Sequence, residues 1–144
     1  MKIVIACDHA GFELKQKIVK WVKKQNIQVF DAGADHIDPQ DSYVDHAKKA
    51  IEYYLANCDA QKDFLILICG SGVGMSIVAN RYQKIRAVLA LSKRQAVQAR
   101  MHNNANCLCL GARNTTFFAS KRIAKAFLKT DFLGGKYLTR LNSI

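Results

Sequence analysis

The sequence lacks several features that mark specialised classes of protein. No hydrophobic run approaches the roughly 18 residues that a membrane-spanning helix requires, so we expect no contact with a membrane. The N-terminal stretch meets a charged residue at Asp8 and contains no long apolar run, so we expect no secretory leader and a cytoplasmic location. Hydrophobic residues nevertheless make up 50% of the chain, which argues against disorder and favours a folded domain.

A disulfide framework is also missing. The chain has 5 cysteines, which is an odd number, and most of them lie in apolar runs. This usage favours a reducing compartment over a secreted, cross-linked fold. Cys107 and Cys109 are separated by one residue, which is closer than the paired ligands of a zinc site, so we expect no structural metal.

Acidic residues are nearly absent from the second part of the chain. Residues 81–144 contain 13 basic side chains and one acidic side chain, Asp131, whereas residues 1–80 contain 9 basic and 10 acidic side chains. This asymmetry suggests an anionic partner, which would be a nucleic acid, a phosphorylated metabolite or the acidic part of another subunit. A basic surface without a partner is the simpler interpretation of composition alone.

Short apolar runs alternate with helical patterns five times along the chain. The predicted strands are Lys2–Cys7, Ile27–Phe30, Phe64–Cys69, Ile85–Leu91 and Ala105–Leu110. Residues 34–43 form a polar loop that contains the only proline, Pro39, and we find no repeat, low-complexity segment or linker. We therefore predict a single α/β domain over residues 1–144, with a doubly wound five-stranded parallel sheet and helices on both faces.

Polar residues that are candidates for a site lie near the ends of the predicted strands. Ligands of doubly wound sheets bind at the carboxyl ends of the strands, so we expect Asp8-His9, Gly70–Gly74 and His102-Asn103 to meet at that edge. Each has a simpler alternative, because Asp8 can cap a helix, His9 can be a solvated loop residue and His102-Asn103 can be a polar turn.

The loop Gly70-Ser71-Gly72-Val73-Gly74 joins the most apolar strand to a helix. Its G-x-G-x-G spacing fits neither the dinucleotide-binding fingerprint nor the P-loop, because Met75-Ser76 stands where the P-loop has Lys-Ser/Thr. The loop is either an anion site built from backbone N–H groups or a tight turn. Cys69 directly precedes it and is either a base or nucleophile favoured by the helix N-terminus, or a buried core cysteine.

The basic residues Arg113, Lys136 and Arg140 follow the last predicted strand. They are either a phosphate clamp or a solvated surface. Taken together, the candidates supply a thiol, a carboxylate, two histidines, a glycine loop and several cations. That set suits enolisation of a phosphorylated sugar, in which a base removes a proton next to a carbonyl and N–H groups hold the resulting oxyanion.

The same motifs resemble the ribose-5-phosphate isomerase type B family, which includes the subunits of galactose-6-phosphate isomerase. The matching stretches run in family order and are Ala6–Phe12, Ile68–Ser76, Ile85–Val88, His102–Ala105, Gly111–Arg113, and Gly134-Gly135 with Arg140. The resemblance implies a Rossmann-like three-layer fold that forms a homodimer or a dimer of dimers, with sites built between subunits. It also implies that the C-terminal tail from about residue 130 packs on a partner subunit.

The resemblance implies reversible conversion of ribose 5-phosphate to ribulose 5-phosphate through an enediolate, without a metal or organic cofactor. It places Cys69 as the base and His102 as the group that helps open the furanose ring, with Asp8 and Ser71 also in the catalytic set. The implied contacts to the sugar phosphate are Asp8, His9, Tyr43, the loop residues Gly70, Ser71, Gly72, Val73 and Gly74, then Asn103, Arg113, Lys136 and Arg140.

The chain departs from the family pattern in two places. Lys136-Tyr137 stands where the family commonly has Arg-His, and Val44 stands where it often has proline. Lysine keeps the positive charge but loses the bidentate fork of arginine. An allose- or galactose-6-phosphate isomerase is therefore the nearest alternative. A basic nucleic-acid-binding module is a remote one, because the sequence shows no aromatic stacking strand and no RNA or DNA motif, and we expect no nucleic-acid partner.

Overall fold

A computed structural model describes residues 1–144 and contains one sheet with helices on both faces. The strands are β1 (Lys2–Cys7), β2 (Gln28–Asp31), β3 (Phe64–Cys69), β4 (Ala87–Leu89) and β5 (Cys107–Gly111). The helices are α1 (Phe12–Lys23), α2 (Tyr43–Asn57), α3 (Val73–Ala79), α4 (Lys93–Asn103), α5 (Phe117–Lys129) and α6 (Lys136–Leu141), and a 3-10 turn over His9–Gly11 precedes α1. None of these helices combines the length and apolar character needed to cross a membrane.

The five strands are all parallel and lie in the order β2-β1-β3-β5-β4. Strand β3 is central. The chain places β2 beside β1 on one side of the sheet, and β5 and β4 beside β3 on the other side. The predicted doubly wound parallel sheet is therefore confirmed. The reversal of direction between β1 and β3 leaves a crevice at their carboxyl ends, where folds of this kind bind ligands.

The apolar character of β3 follows from burial on both faces. Ile66 and Ile68 pack in a cluster with α1, α4 and α5, whereas Leu65, Leu67 and Cys69 pack in a second cluster with α2 and α3. Successive side chains of a strand point to opposite faces, so both sets must be apolar when helices cover both sides. The result is the three-layer arrangement that the sequence analysis predicts.

The basic C-terminal segment contains a helix that the sequence analysis does not predict. Helix α6 has six residues, none of them buried, so it has no apolar stripe that a sequence pattern could reveal. Gly135 precedes it with a φ of 53°, in the left-handed region. The N–H of Leu133 donates to the carbonyl of Met101 at 3.1 Å. This hydrogen bond holds the segment before α6 against the end of α4.

One buried cation fixes the loop that follows β2. Lys15 of α1 is 1% exposed, and its Nζ donates to Asp31 Oδ1 at 3.0 Å and to the carbonyl oxygen of Ala34. The N–H of Ala34 donates to the carbonyl of Cys7 at 3.1 Å, which ties the same point to β1. The start of the loop at residues 32–34 is therefore held by the core.

We expect Asp31→Asn to lower the free energy of unfolding by about 1–3 kcal/mol. The substitution leaves the Lys15 ammonium buried without a full counter-charge, although Asp31 is itself 34% exposed and solvent moderates the loss. Lys15→Met removes the charge that needs a partner and should cost less. Urea unfolding followed by circular dichroism measures both variants. Wild-type stability of Asp31→Asn would show that this ion pair does not hold the loop.

Candidate active site

A cleft of about 520 Å³ opens at the carboxyl edge of the sheet, beside the reversal between β1 and β3. The structure brings together here most of the residues that the sequence analysis selects. Those that line the cleft are Asp8, His9, Tyr43, Cys69, Gly70, Ser71, Val73, Gly74 and Arg113. Gly72 lies in the same loop as the N-cap of α3.

Cys69 is the one cysteine of the five that lines this cleft. It ends β3 with 5% of its surface exposed, and the N–H of Gly72 donates to its Sγ at 3.1 Å. A donor aimed at sulfur stabilises negative charge on that sulfur. By contrast, Cys7 lies in the core, and burial raises the pKa of its thiol to about 12. Cys69 is therefore the thiol that this edge presents to a ligand.

The glycine loop makes a sharp turn at Gly72, whose φ of 79° lies in the left-handed region where glycine carries no steric cost. The N–H of Val73 donates to the side-chain oxygen of Ser71 at 3.2 Å. The N–H groups of Gly70 and Ser71 form no hydrogen bond within the chain. Two backbone donors next to the Cys69 thiol are therefore available to an anion.

Two side chains pack against this glycine loop. The ring of Tyr43 lies so close to Gly74 that a Cβ at residue 74 would stand 2.6 Å from Tyr43 Cε2. The guanidinium of Arg113 lies over Gly70, where an added Cβ would stand 3.4 Å from it. The backbone N–H of Arg113 donates to the carbonyl of Gly70 at 2.9 Å and holds the residue there. A cation and an aromatic ring thus face the glycine loop.

Asp8 and His9 reach the cleft through the turn after β1. Asp8 Oδ1 accepts the N–H of Gly11 at 3.0 Å and so caps the 3-10 turn before α1, which is the simpler alternative from the sequence, and the residue also lines the cleft. His9 Nδ1 lies 2.6 Å from Asp41 Oδ1. The turn after β1 therefore places one carboxylate and one imidazole at the same opening.

The sequence analysis selects neither Asp41, because the loop over residues 34–43 gives no periodic signal, nor His46, which lies within α2. Asp41 Oδ2 lies 3.0 Å from His46 Nε2, so the one carboxylate contacts two histidines. Burial raises the pKa of Asp41, but the hydrogen bonds from His9 and His46 outweigh that effect and bring the pKa below its ordinary value. Asp41 is therefore ionised at neutral pH.

His102 and Asn103 do not lie at this edge, so the expectation that they meet Asp8-His9 and Gly70–Gly74 there is wrong within one chain. Helix α4 runs back across the sheet and ends at Asn103, just before β5 begins at Cys107. Cys107 pairs with Leu65 at the amino end of β3, whereas Gly111 pairs with Cys69 at the carboxyl end. The four-residue difference in register corresponds to about 13 Å along the strand.

His102 instead belongs to a second group at the amino edge. Its ring stacks on that of Tyr137, with centroids 4.4 Å apart and an interplanar angle of 15°. Lys136 Nζ and the Arg140 guanidinium lie 5.3 and 5.8 Å from the centroid of the Tyr137 ring. The predicted cations Lys136 and Arg140 therefore accompany His102 and stay apart from the Cys69 cleft.

The chain resembles known sugar-phosphate isomerases along nearly its whole length. Residues 3–144 match the family model described as Ribose/Galactose Isomerase. A Mycoplasma genitalium protein named probable ribose-5-phosphate isomerase B is 39% identical over 142 residues, covering 99% of this chain and 92% of that protein. The Escherichia coli ribose-5-phosphate isomerase B is 36% identical, with 99% and 93% of the two chains covered.

Solved structures agree with this match. The crystal structure of ribose-5-phosphate isomerase B from Mycoplasma genitalium with bound ribulose-5-phosphate has a TM-score of 0.93 and 38% identity, covering 99% of this chain and 92% of that one. A ribose 5-phosphate isomerase from Thermotoga maritima has a TM-score of 0.92 and 43% identity, with 99% and 95% covered. On sequence and fold alike, the chain belongs to the ribose/galactose isomerase family.

Proposed function

We propose that the protein interconverts ribose 5-phosphate and ribulose 5-phosphate. The observation that carries this proposal is the Cys69 thiol at the floor of the cleft, next to the free N–H groups of Gly70 and Ser71. Relatives named for this activity, and a relative's structure with bound ribulose-5-phosphate, support the choice of substrate. The pairing of a base with an anion hole is what enolisation requires.

Isomerisation moves one proton between two neighbouring carbons. The Cys69 thiolate removes the proton from C2 of the open-chain aldose, and the electrons pass to the carbonyl oxygen at C1 to form an enediolate. The thiol then returns the proton to C1, while the proton of the O2 hydroxyl passes to O1 and the carbonyl forms at C2. The hydrogen bond from Gly72 to Sγ supports the thiolate form that begins this sequence.

The remaining residues of the cleft bind and orient the sugar phosphate. Gly70 and Ser71 donate their N–H groups to the developing oxyanion. Asp8 uses one oxygen to cap the turn after β1 and offers the other to a sugar hydroxyl. The Arg113 guanidinium, which lies over Gly70, binds the phosphate, because its planar fork matches two phosphate oxygens. Tyr43 packs against the sugar from the opposite side of the loop.

We further propose that a second copy of the chain supplies His102 and Asn103 to this cleft. Within one chain they lie at the opposite edge, so ring opening near Cys69 needs another source of these side chains. Lys136 and Arg140 would enter with them, because both pack around Tyr137 against His102. Their positive charge complements the phosphate dianion.

The first test is ketose formation from ribose 5-phosphate, allose 6-phosphate and galactose 6-phosphate, measured in parallel. We expect ribose 5-phosphate to be preferred, and Cys69→Ala to lower kcat by at least about 10³-fold, because the variant has no base. Cys58→Ala is the matched control, since Cys58 lies outside the cleft and should leave the rate unchanged.

Near-wild-type turnover by Cys69→Ala would overturn the role of the thiol. Preference for a six-carbon sugar would favour the alternative substrate class and point to Lys136-Tyr137 as the pair that sets substrate length. No turnover of any of the three substrates would contradict the proposed function itself.

Shared sites are tested by mixing two inactive variants. Cys69→Ala and His102→Ala chains, unfolded together in equal amounts and refolded, should recover about a quarter of the wild-type activity. Half of the dimers are then mixed, and one of the two sites in each mixed dimer has both side chains intact. Each variant refolded alone is the control. Absence of recovery, with native dimers present by size-exclusion chromatography, would show that the sites are not shared.

A further inference from the structure

Asp41 joins two histidines across three separate segments of the chain. His9 lies in the turn after β1, Asp41 in the loop after β2, and His46 in the first turns of α2. The distances are 2.6 Å from Asp41 Oδ1 to His9 Nδ1 and 3.0 Å from Asp41 Oδ2 to His46 Nε2. The three side chains bond to one another and do not converge on a point that could hold a metal ion.

His9 is the member of this group that lines the Cys69 cleft. Its ring also borders a smaller cavity of about 290 Å³, whose walls include Glu13, Ala112 and Thr115. The imidazole therefore stands at the rim between the two cavities, on the side of the Arg113 loop. Its side chain is 28% exposed, so packing alone leaves the ring some freedom to rotate.

The carboxylate determines where the protons lie. Asp41 is ionised at neutral pH, because the hydrogen bonds from both histidines lower its pKa more than burial raises it. An ionised carboxylate can only accept hydrogen bonds, so Nδ1 of His9 and Nε2 of His46 must both donate. Nε2 of His9 is then the ring nitrogen that remains available to a ligand. His46, donating from the other side, fixes the plane of the carboxylate.

We propose that Asp41 is a positioning residue: it holds the Nδ1 proton of His9 and so orients the ring with Nε2 toward the sugar phosphate, and His46 holds Asp41 for this purpose. The identity of the ligand rests on the proposed function. The competing explanation is that the bridge only ties the loop to α2. In that case its removal would lower stability and leave substrate binding and the proton on His9 unchanged.

The chain provides a matched control in the same loop. Asp35 and His36 form a carboxylate–imidazole contact of the same length, 2.6 Å, but their side chains are 92% and 77% exposed and lie outside the cleft. Asp35→Asn therefore removes a carboxylate–imidazole contact of the same kind outside the cleft, and we expect no change in KM or kcat.

Steady-state kinetics with ribose 5-phosphate form the first arm of the test. We expect Asp41→Asn and Asp41→Ala to raise KM about tenfold and leave kcat within about twofold. The reason is that a contact to a part of the sugar phosphate that does not react binds substrate and transition state equally. His46→Gln keeps an N–H donor for Asp41 and should stay near wild type, whereas His46→Ala should raise KM. Unchanged KM in both Asp41 variants would overturn the proposal.

Nitrogen NMR of the histidines forms the second arm and does not depend on turnover. Two-bond ¹H–¹⁵N spectra of the full chain, with His9 assigned from the signal lost in His9→Gln, should show a protonated Nδ1 in the wild type and no such preference in Asp41→Ala. An unprotonated Nδ1 of His9 in the wild type would overturn the proposal. If ribose 5-phosphate is not turned over, the proposed function fails, and this spectrum still decides whether Asp41 sets the proton on His9.

Discussion

The carboxyl end of β3 is contacted on both sides by backbone at distances that only glycine permits. A Cβ on Gly11 would lie 2.7 Å from the carbonyl oxygen of Ile68, and a Cβ on Gly111 would lie 2.4 Å from that of Ser71. Both neighbours are main-chain atoms and cannot rotate away. The turn after β1 and the end of β5 therefore pack closely against the backbone on either side of Cys69, which ends β3 and lines the cleft.

The same sheet geometry separates the two groups of polar residues. A helix that follows one parallel strand and precedes the next must return the chain to the amino edge, so the end of α4 cannot reach Cys69 in its own chain. The stack of His102 on Tyr137 then keeps the ring-opening candidate and the cations together as a unit. If a second copy completes the site as proposed, association of two chains and assembly of the catalytic set are one event.

Sequence alone predicts the fold and the Cys69 cleft, because both depend on local patterns. Apolar alternation and the glycine loop after Phe64–Cys69 are enough to place the thiol at the carboxyl edge. His102 was misplaced because it was grouped with residues that follow strands, whereas it precedes one. The contacts of Asp41 with His9 and His46 are not predicted, because they depend on the path of the irregular loop that carries Asp41. That path is determined by tertiary hydrogen bonds that leave no periodicity in the sequence.

The loop after β2 is supported at its two ends by different polar interactions. The start of the loop is fixed by the buried Lys15 of α1, which donates to Asp31 and to the carbonyl of Ala34. This contact lies in the core. At its end, Asp41 is held by His9 and His46, so the anchor belongs to the site. The residues between, 35–40, are all exposed. Each end of the loop is thus fixed by its own polar contacts, and at the Asp41 end those contacts include His9, which lines the cleft.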